Sequence, residues 1–240
     1  MKWNDSNGPN LARQPSRLLL NDSMPPAILE QYKMLRTHLL KYSGGNPPRT
    51  ILITSALQGE GKSTVAANLA IAIANSVKER VLLMDCDLRA PTLHRLFGLK
   101  PTRGLADYLR SDIDLAKLLL GTDVDKLSFL PSGPRAADAA ELLASEKMAA
   151  LIAEVRARYD DRIIVLDSTP IFATTDPKIL ATQADGVLLV VRAGMANREL
   201  VARVVETIGR PKLLGVVFNG VDPSRSSYAY GYYKSAYPYR

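Results

Sequence analysis

Residues 51–64 read Ile-Leu-Ile-Thr-Ser-Ala-Leu-Gln-Gly-Glu-Gly-Lys-Ser-Thr, an apolar run that turns through two glycines into Lys-Ser-Thr and an alanine-rich stretch. A β-type run, a glycine turn and a helix in that order make a Walker A phosphate loop in its required context. Glycine lets the main chain approach a ligand closely, so the amides of Gly59, Glu60, Gly61, Lys62 and Ser63 can wrap a phosphate. The helix opening at Lys62-Ser63-Thr64 adds its positive amino end. Lys62 is placed to reach the β- and γ-phosphates of a nucleotide, and the Ser63 hydroxyl to ligate Mg²⁺. Ala56 stands where the strict pattern has glycine, a small residue that alters the turn little.

Such a loop demands a parallel sheet behind it, and the chain supplies one. Short apolar runs recur at Thr50–Thr54, Arg80–Met84, Leu127–Leu130, Ile163–Leu166, Gly186–Val191 and Leu213–Phe218. Helical stretches lie between them at 62–76, 139–158, 176–183 and 197–209. This alternation predicts an α/β fold, a mostly parallel sheet with helices on both faces, and ligands at the carboxyl ends of the strands. Before the sheet, Ile28, Leu29, Tyr32, Leu35, Leu39 and Leu40 recur at helical spacing opposite Glu30, Lys33, Arg36 and Lys41, an amphipathic helix ended by Gly44-Gly45-Asn46-Pro47-Pro48. Residues 1–25, rich in Asn, Ser, Pro and Arg, read as a flexible leader. Residues 26–221 read as the folded domain, with its first helix within 26–43.

Residues 222–240 form a tail holding six of the ten tyrosines, Tyr228, Tyr230, Tyr232, Tyr233, Tyr237 and Tyr239, and too few aliphatic side chains for a core. The net charge of +7 resides at the ends. Residues 1–50 carry seven basic and three acidic side chains, whereas 51–221 carry 21 and 20. A basic end on a neutral body argues against nucleic acid and fits a solvated arm or an anionic surface. The single cysteine, Cys86, excludes an intramolecular disulfide and fits a reducing cytosol. No run nears the roughly 20 apolar residues needed to cross a bilayer.

Two acidic motifs belong with the phosphate loop. Asp85-Cys86-Asp87 follows one apolar run, and Asp167-Ser168-Thr169-Pro170 follows another, as a Walker B aspartate would. Taken singly, each aspartate suits a cap or a turn. Around one Mg-phosphate, the three suit metal ligation, by Asp85 and Asp167 beside Ser63, and acceptance of a hydroxyl proton.

The order of these segments resembles the bacterial tyrosine kinases of capsule and exopolysaccharide synthesis. The matching runs are LEQYKMLRTHL, TSALQGEGKST, VLLMDCDLRAPTLHRLFGL, FLPSGP, AELLASEKMAALI, YDDRIIVLDSTP, GVLLVVRAG, LLGVVFNGV and the tyrosine tail. The resemblance implies an ATP- and Mg²⁺-dependent enzyme that phosphorylates its own tail tyrosines. Asp85 would lie near Mg²⁺ and the transferred phosphoryl group, Asp87 would be the base, and Asn219 would read the adenine edge. It also implies a ring-shaped homo-oligomer in which one subunit's tail enters its neighbour's site, with Glu30, Lys33 and Arg36 at the contact. Lys33 stands where arginine is common, losing a bidentate donor. A plain packing helix fits residues 28–40 equally well. A membrane-anchored activator or chain-length regulator of polysaccharide export, and a cognate tyrosine phosphatase, are the implied partners. The implied location is the cytoplasm, against the inner membrane face through that partner. The chain would be a stand-alone kinase or a piece of a membrane-fused one.

Two other readings compete. A partition-type ATPase switch carries a signature lysine five residues before the loop lysine, where this chain has Leu57. A non-catalytic ATP-bound scaffold for a polysaccharide exporter gains no positive support, since all the expected phosphate and metal residues are present. His38 and His94 have no partners at metal-ligand spacing and read as structural.

Overall fold

Each of the six apolar runs forms a strand, and a short seventh joins them at one edge. The computed structural model describes residues 20, 21, 23–41, 46–100, 103–158 and 160–221. The leader before Leu20 and the tail with its six tyrosines lie outside the described residues. In chain order the elements are α1 (Pro26–Leu40), β1 (Thr50–Ser55), α2 (Lys62–Ala74), β2 (Arg80–Asp85), α3 (Leu93–Leu96) and α4 (Leu105–Arg110). Then come β3 (Leu120–Gly121), β4 (Leu127–Leu130), α5 (Ala139–Leu143), α6 (Glu146–Arg158) and β5 (Arg162–Asp167). The chain closes with α7 (Asp176–Gln183), β6 (Gly186–Arg192), α8 (Arg198–Ile208) and β7 (Leu213–Asn219).

The seven strands lie in the order β3-β4-β2-β5-β1-β6-β7, all neighbours parallel except β3 and β4. Strand periodicity divides the core. Leu52, Leu82, Met84, Ile164, Leu166 and Val187 face α4 to α7, while Ile51, Ile53, Val81, Leu83, Val165 and Val190 face α2. A third cluster packs α8 through Val204 against Leu189 and Val191 of β6. Because both faces are covered, every residue of β1 is buried, which explains its unbroken apolar run.

Helix α2 is the middle of three layers, between the sheet and α1. Every residue from Val65 to Ala74 is buried, so its apolar residues encircle it instead of forming one stripe. Fully buried Leu69, Ile71 and Ile73 each contribute about 1.5–3 kcal/mol of hydrophobic stabilisation. Its polar Asn68 is also buried, and satisfied: Oδ1 accepts from the Leu20 amide at 2.9 Å and Nδ2 donates to the Tyr32 hydroxyl at 3.4 Å.

Some expectations need correction. Residues 1–25 read as a leader, yet Leu20 packs on the core and is pinned to Asn68. The single helix expected over 139–158 is two, because Ser145 both ends α5 and starts α6. Its hydroxyl donates to Leu142 O at 2.7 Å and accepts from Met148 N at 3.2 Å. Within its own chain Arg36 donates from Nη1 to Ala72 O at 2.9 Å and caps α2. Glu30 and Lys33 remain at the surface and pair with each other at 3.4 Å.

Candidate functional site

In the strand order, β2, β5 and β1 are adjacent, so the segments that follow them emerge side by side. These are the loop 56–61, the aspartates 85 and 87, and Asp167. Asp85 and Asp167 are paired residues in the β2–β5 register and are both buried. The sheet thus assembles residues 82 positions apart in sequence.

The loop has the conformation its glycines require. Gly59 and Gly61 have φ of +85° and +92°, a region that side chains rarely adopt. Gly61 is the residue before α2, so Lys62 and Ser63 open that helix. The Lys62 side chain is largely buried, and its charge acts on Asp167. The Ser63 hydroxyl bonds Asp167 and lies 3.3 Å from the hydroxyl of Thr92. Thr64 follows on the first turn of α2.

Burial, and then the charges of Asp167 and Asp87, push the Asp85 carboxyl well above its ordinary pKa. Burial likewise pushes Asp167 up to about 7, although the Ser63 hydrogen bond and the Lys62 charge pull the other way. Asp85 Oδ2 and Asp167 Oδ1 are buried without a hydrogen-bond partner among the described residues. Two orphaned carboxylate oxygens beside a serine hydroxyl fit a hard cation such as Mg²⁺. Among the described residues no group of three or more His, Cys, Asp and Glu side chains is arranged to hold a metal alone. A cation at Asp85 and Asp167 would therefore complete its shell with Ser63 and with phosphate oxygens. Asp87 is half-buried, and its Oδ1 accepts from the Ala90 amide at 2.8 Å.

Several contributing residues carry no local signal. Arg89 grips Asp176 with two bonds, Nε to Oδ2 at 2.8 Å and Nη2 to Oδ1 at 3.1 Å, tying the segment after Asp87 to the start of α7. Glu60 is wholly buried: Oε2 accepts from Leu57 N at 2.7 Å and Oε1 from Arg192 N at 3.2 Å. Asn219, at the end of β7, donates from Nδ2 to Glu60 O at 2.9 Å. In the sequence these are a charged residue inside a glycine turn, an arginine after a strand and a distant asparagine. Pairing of β1 with β6 and of β6 with β7 brings Asn219 to Glu60, whereas Arg89 meets Asp176 through a separate tie between the end of β2 and the start of α7. His38 and His94 lie on α1 and α3 and take no part.

Comparison with known proteins agrees with this geometry. Residues 51–233 match the CbiA model, the CobQ/CobB/MinD/ParA nucleotide binding domain. The chain is 40% identical over 206 residues to the tyrosine-protein kinase YwqD of Bacillus subtilis, covering 85% of each protein. It is 36% identical over 219 residues to the putative tyrosine-protein kinase EpsB of Ralstonia nicotianae, where the match takes in 88% of this chain but 28% of EpsB. Among solved structures, the chimerical protein CapA2B2 superposes with a TM-score of 0.78 at 30% identity, over 85% of this chain and 90% of that one. The chain therefore belongs to the bacterial tyrosine-protein kinases, built on the CobQ/CobB/MinD/ParA nucleotide-binding domain.

Proposed function

We propose that the chain transfers the γ-phosphoryl group of ATP to tyrosine hydroxyls, those of its own tail first. The observation that carries this reading is the convergence of Lys62, Ser63, Asp85 and Asp167 at three adjacent strand ends, with two buried carboxylate oxygens left without partners among the described residues. The loop amides from Gly59 to Ser63 and the Lys62 ammonium bind and orient the β- and γ-phosphates. Ser63, Asp85 and Asp167 would hold Mg²⁺, which when bound neutralises charge on the phosphates. Asp87 is more exposed than Asp85, which supports it as the carboxylate that accepts the proton of an incoming tyrosine. Arg89 restrains its segment through Asp176.

The origin of the tail supports tyrosine as acceptor. β7 ends at Asn219, whose amide touches the phosphate loop, and the tail begins at residue 222. The last described residues before the tail therefore lie beside the donor site, which supports the tail as acceptor. Whether a tail serves its own subunit or a neighbour in a ring, each phosphate adds about −1.5 to −2 charges and several reverse the tail's positive sign. A heavily modified tail then repels the acidic site and favours disassembly. The family resemblance extends this to control of exopolysaccharide or capsule polymerisation and export, through a membrane-anchored activator and opposed by a tyrosine phosphatase. No helix among the described residues is long and apolar enough to cross a membrane; in this reading the activator brings the domain to the inner membrane face.

Intact-mass spectrometry after incubation with Mg-ATP tests the reading, beside Lys62→Met and a truncation ending at Ser227. Steps of one phosphate in the parent, absent from both variants, are the expected result. ATP turnover that dies with Lys62, without any mass step in the presence of an activator, would instead favour the ATPase switch.

A further inference from the structure

The phosphate loop is held by Arg192 and Asn219 from outside and by its own Glu60, and the way they hold it has a consequence for its amides. A trans peptide is planar, with its C=O and N–H pointing in opposite directions. Fixing the carbonyl of one residue therefore aims the amide hydrogen of the next. Arg192 donates from Nη1 to Gly59 O at 3.3 Å, which sets the direction of the Glu60 N–H. Asn219 donates from Nδ2 to Glu60 O at 2.9 Å, which sets the direction of the Gly61 N–H. Both carbonyl dipoles, which would repel a phosphate, are held by donors outside the loop.

The Glu60 side chain completes the arrangement. One carboxylate oxygen accepts from Leu57 N at 2.7 Å and closes the mouth of the loop; the other accepts from Arg192 N at 3.2 Å and ties the loop to the end of β6. Packing leaves no slack around the asparagine, since a Cβ at Gly61 would stand 2.2 Å from Asn219 Nδ2. Met195, beyond β6, closes over Gly59 from the other side, its Cε 3.7 Å from where a Cβ would be, and lines a cleft of about 280 Å³ with Asn197 and Arg203.

The geometry points to Glu60, Arg192 and Asn219 as positioning residues that aim the loop's amides into the phosphate cradle, so that phosphate affinity is set from the ends of β6 and β7. Asn219 acts here through the loop, by its Nδ2 bond to Glu60 O. This rests on the reading of residues 56–63 as a phosphate site. It differs from it in assigning the work to three side chains that themselves touch no phosphate.

The test pairs two ligands with three variants. Mg-ATP and inorganic pyrophosphate are titrated by calorimetry against the full chain, Asn219→Ala, Glu60→Gln and Arg192→Ala, each checked for an unchanged circular-dichroism spectrum. Asn219→Ala and Glu60→Gln are expected to weaken both ligands in parallel, by about tenfold, and Arg192→Ala by about threefold. In turnover, KM for ATP rises while kcat at saturation is nearly kept. Weaker ATP with unchanged pyrophosphate in Asn219→Ala would mean that the asparagine reads the base, and would overturn the proposal. Hydrogen exchange on the ligand-free chain separates this from failure of the phosphate site itself. In Glu60→Gln the Leu57 and Arg192 amides are expected to exchange faster than in the parent. Equal exchange at both amides would overturn the brace even if ATP binds normally. A parent that binds neither ligand, yet shows the exchange difference, would overturn the phosphate site and keep the brace.

Discussion

Asp85 and Asp167 illustrate how one residue type becomes reactive through its surroundings. Both sit at strand ends and carry raised pKa values, chiefly because burial disfavours the charged form. The direction fixes the pH dependence of the free chain. A carboxyl whose folded pKa exceeds its unfolded value holds its proton more tightly when folded. Its contribution to stability is complete below the unfolded value of about 4 and is lost as pH rises through the folded one. For Asp167 that loss runs up to about 7. Replacing Asp85 by Asn removes one of the two facing charges. The ligand-free variant is expected to melt about 5 °C above the parent at pH 8 and level with it at about pH 3.5, below the unfolded carboxyl value. Thermal scans at the two pH values decide this, and an equal gain at both would assign the effect to packing.

At the scale of elements, two ties join separate parts of the chain. Asp176 at the start of α7 is wholly buried, and its bidentate partner Arg89 follows β2. Removing one member of a buried pair costs about 3–5 kcal/mol, and because the arginine side chain is 38% exposed, Arg89→Ala should cost nearer 2–3 kcal/mol. Denaturant unfolding measures that loss, and a kcat that falls while KM for ATP holds would show that the tie positions Asp87. The second tie is Arg36 on α1, bonded to Ala72 O at the end of α2. Arg36→Ala is expected to lower stability by about 1 kcal/mol even in dilute, monomeric protein. An unchanged midpoint there, with weaker self-association, would place Arg36 at a subunit contact alone.

For the whole molecule, the last strand among the described residues ends at Asn219, and the central strands are covered on both faces by helices from within residues 26–221. A chain ending at Ser227 should therefore melt within about 2 °C of the parent and bind Mg-ATP equally well, while losing its phosphate acceptors. A large drop in midpoint would show that the tail packs on the domain. β7 is an edge strand with Val216 and Phe218 exposed, and it is the strand from which the tail departs.

Much of this was legible in the chain itself because the relevant physics is local. Lys62 and Ser63 were placed by the glycine turn before a helix, and Asp85 and Asp167 by their position just past apolar runs. Buried parallel strands advertise themselves as continuous apolar stretches, so six were evident, whereas the two-residue β3 is too short to leave a pattern. Likewise Ser145 divides α5 from α6 through hydroxyl bonds that no periodicity records. Tertiary structure alone decided which distant residues meet. The strand order set Asp85 beside Asp167, Arg36 turned onto Ala72, and the ends of β6 and β7 brought Arg192 and Asn219 to the loop. Those contacts depend on which strands lie next to each other, a long-range property that no segment of this sequence carries by itself.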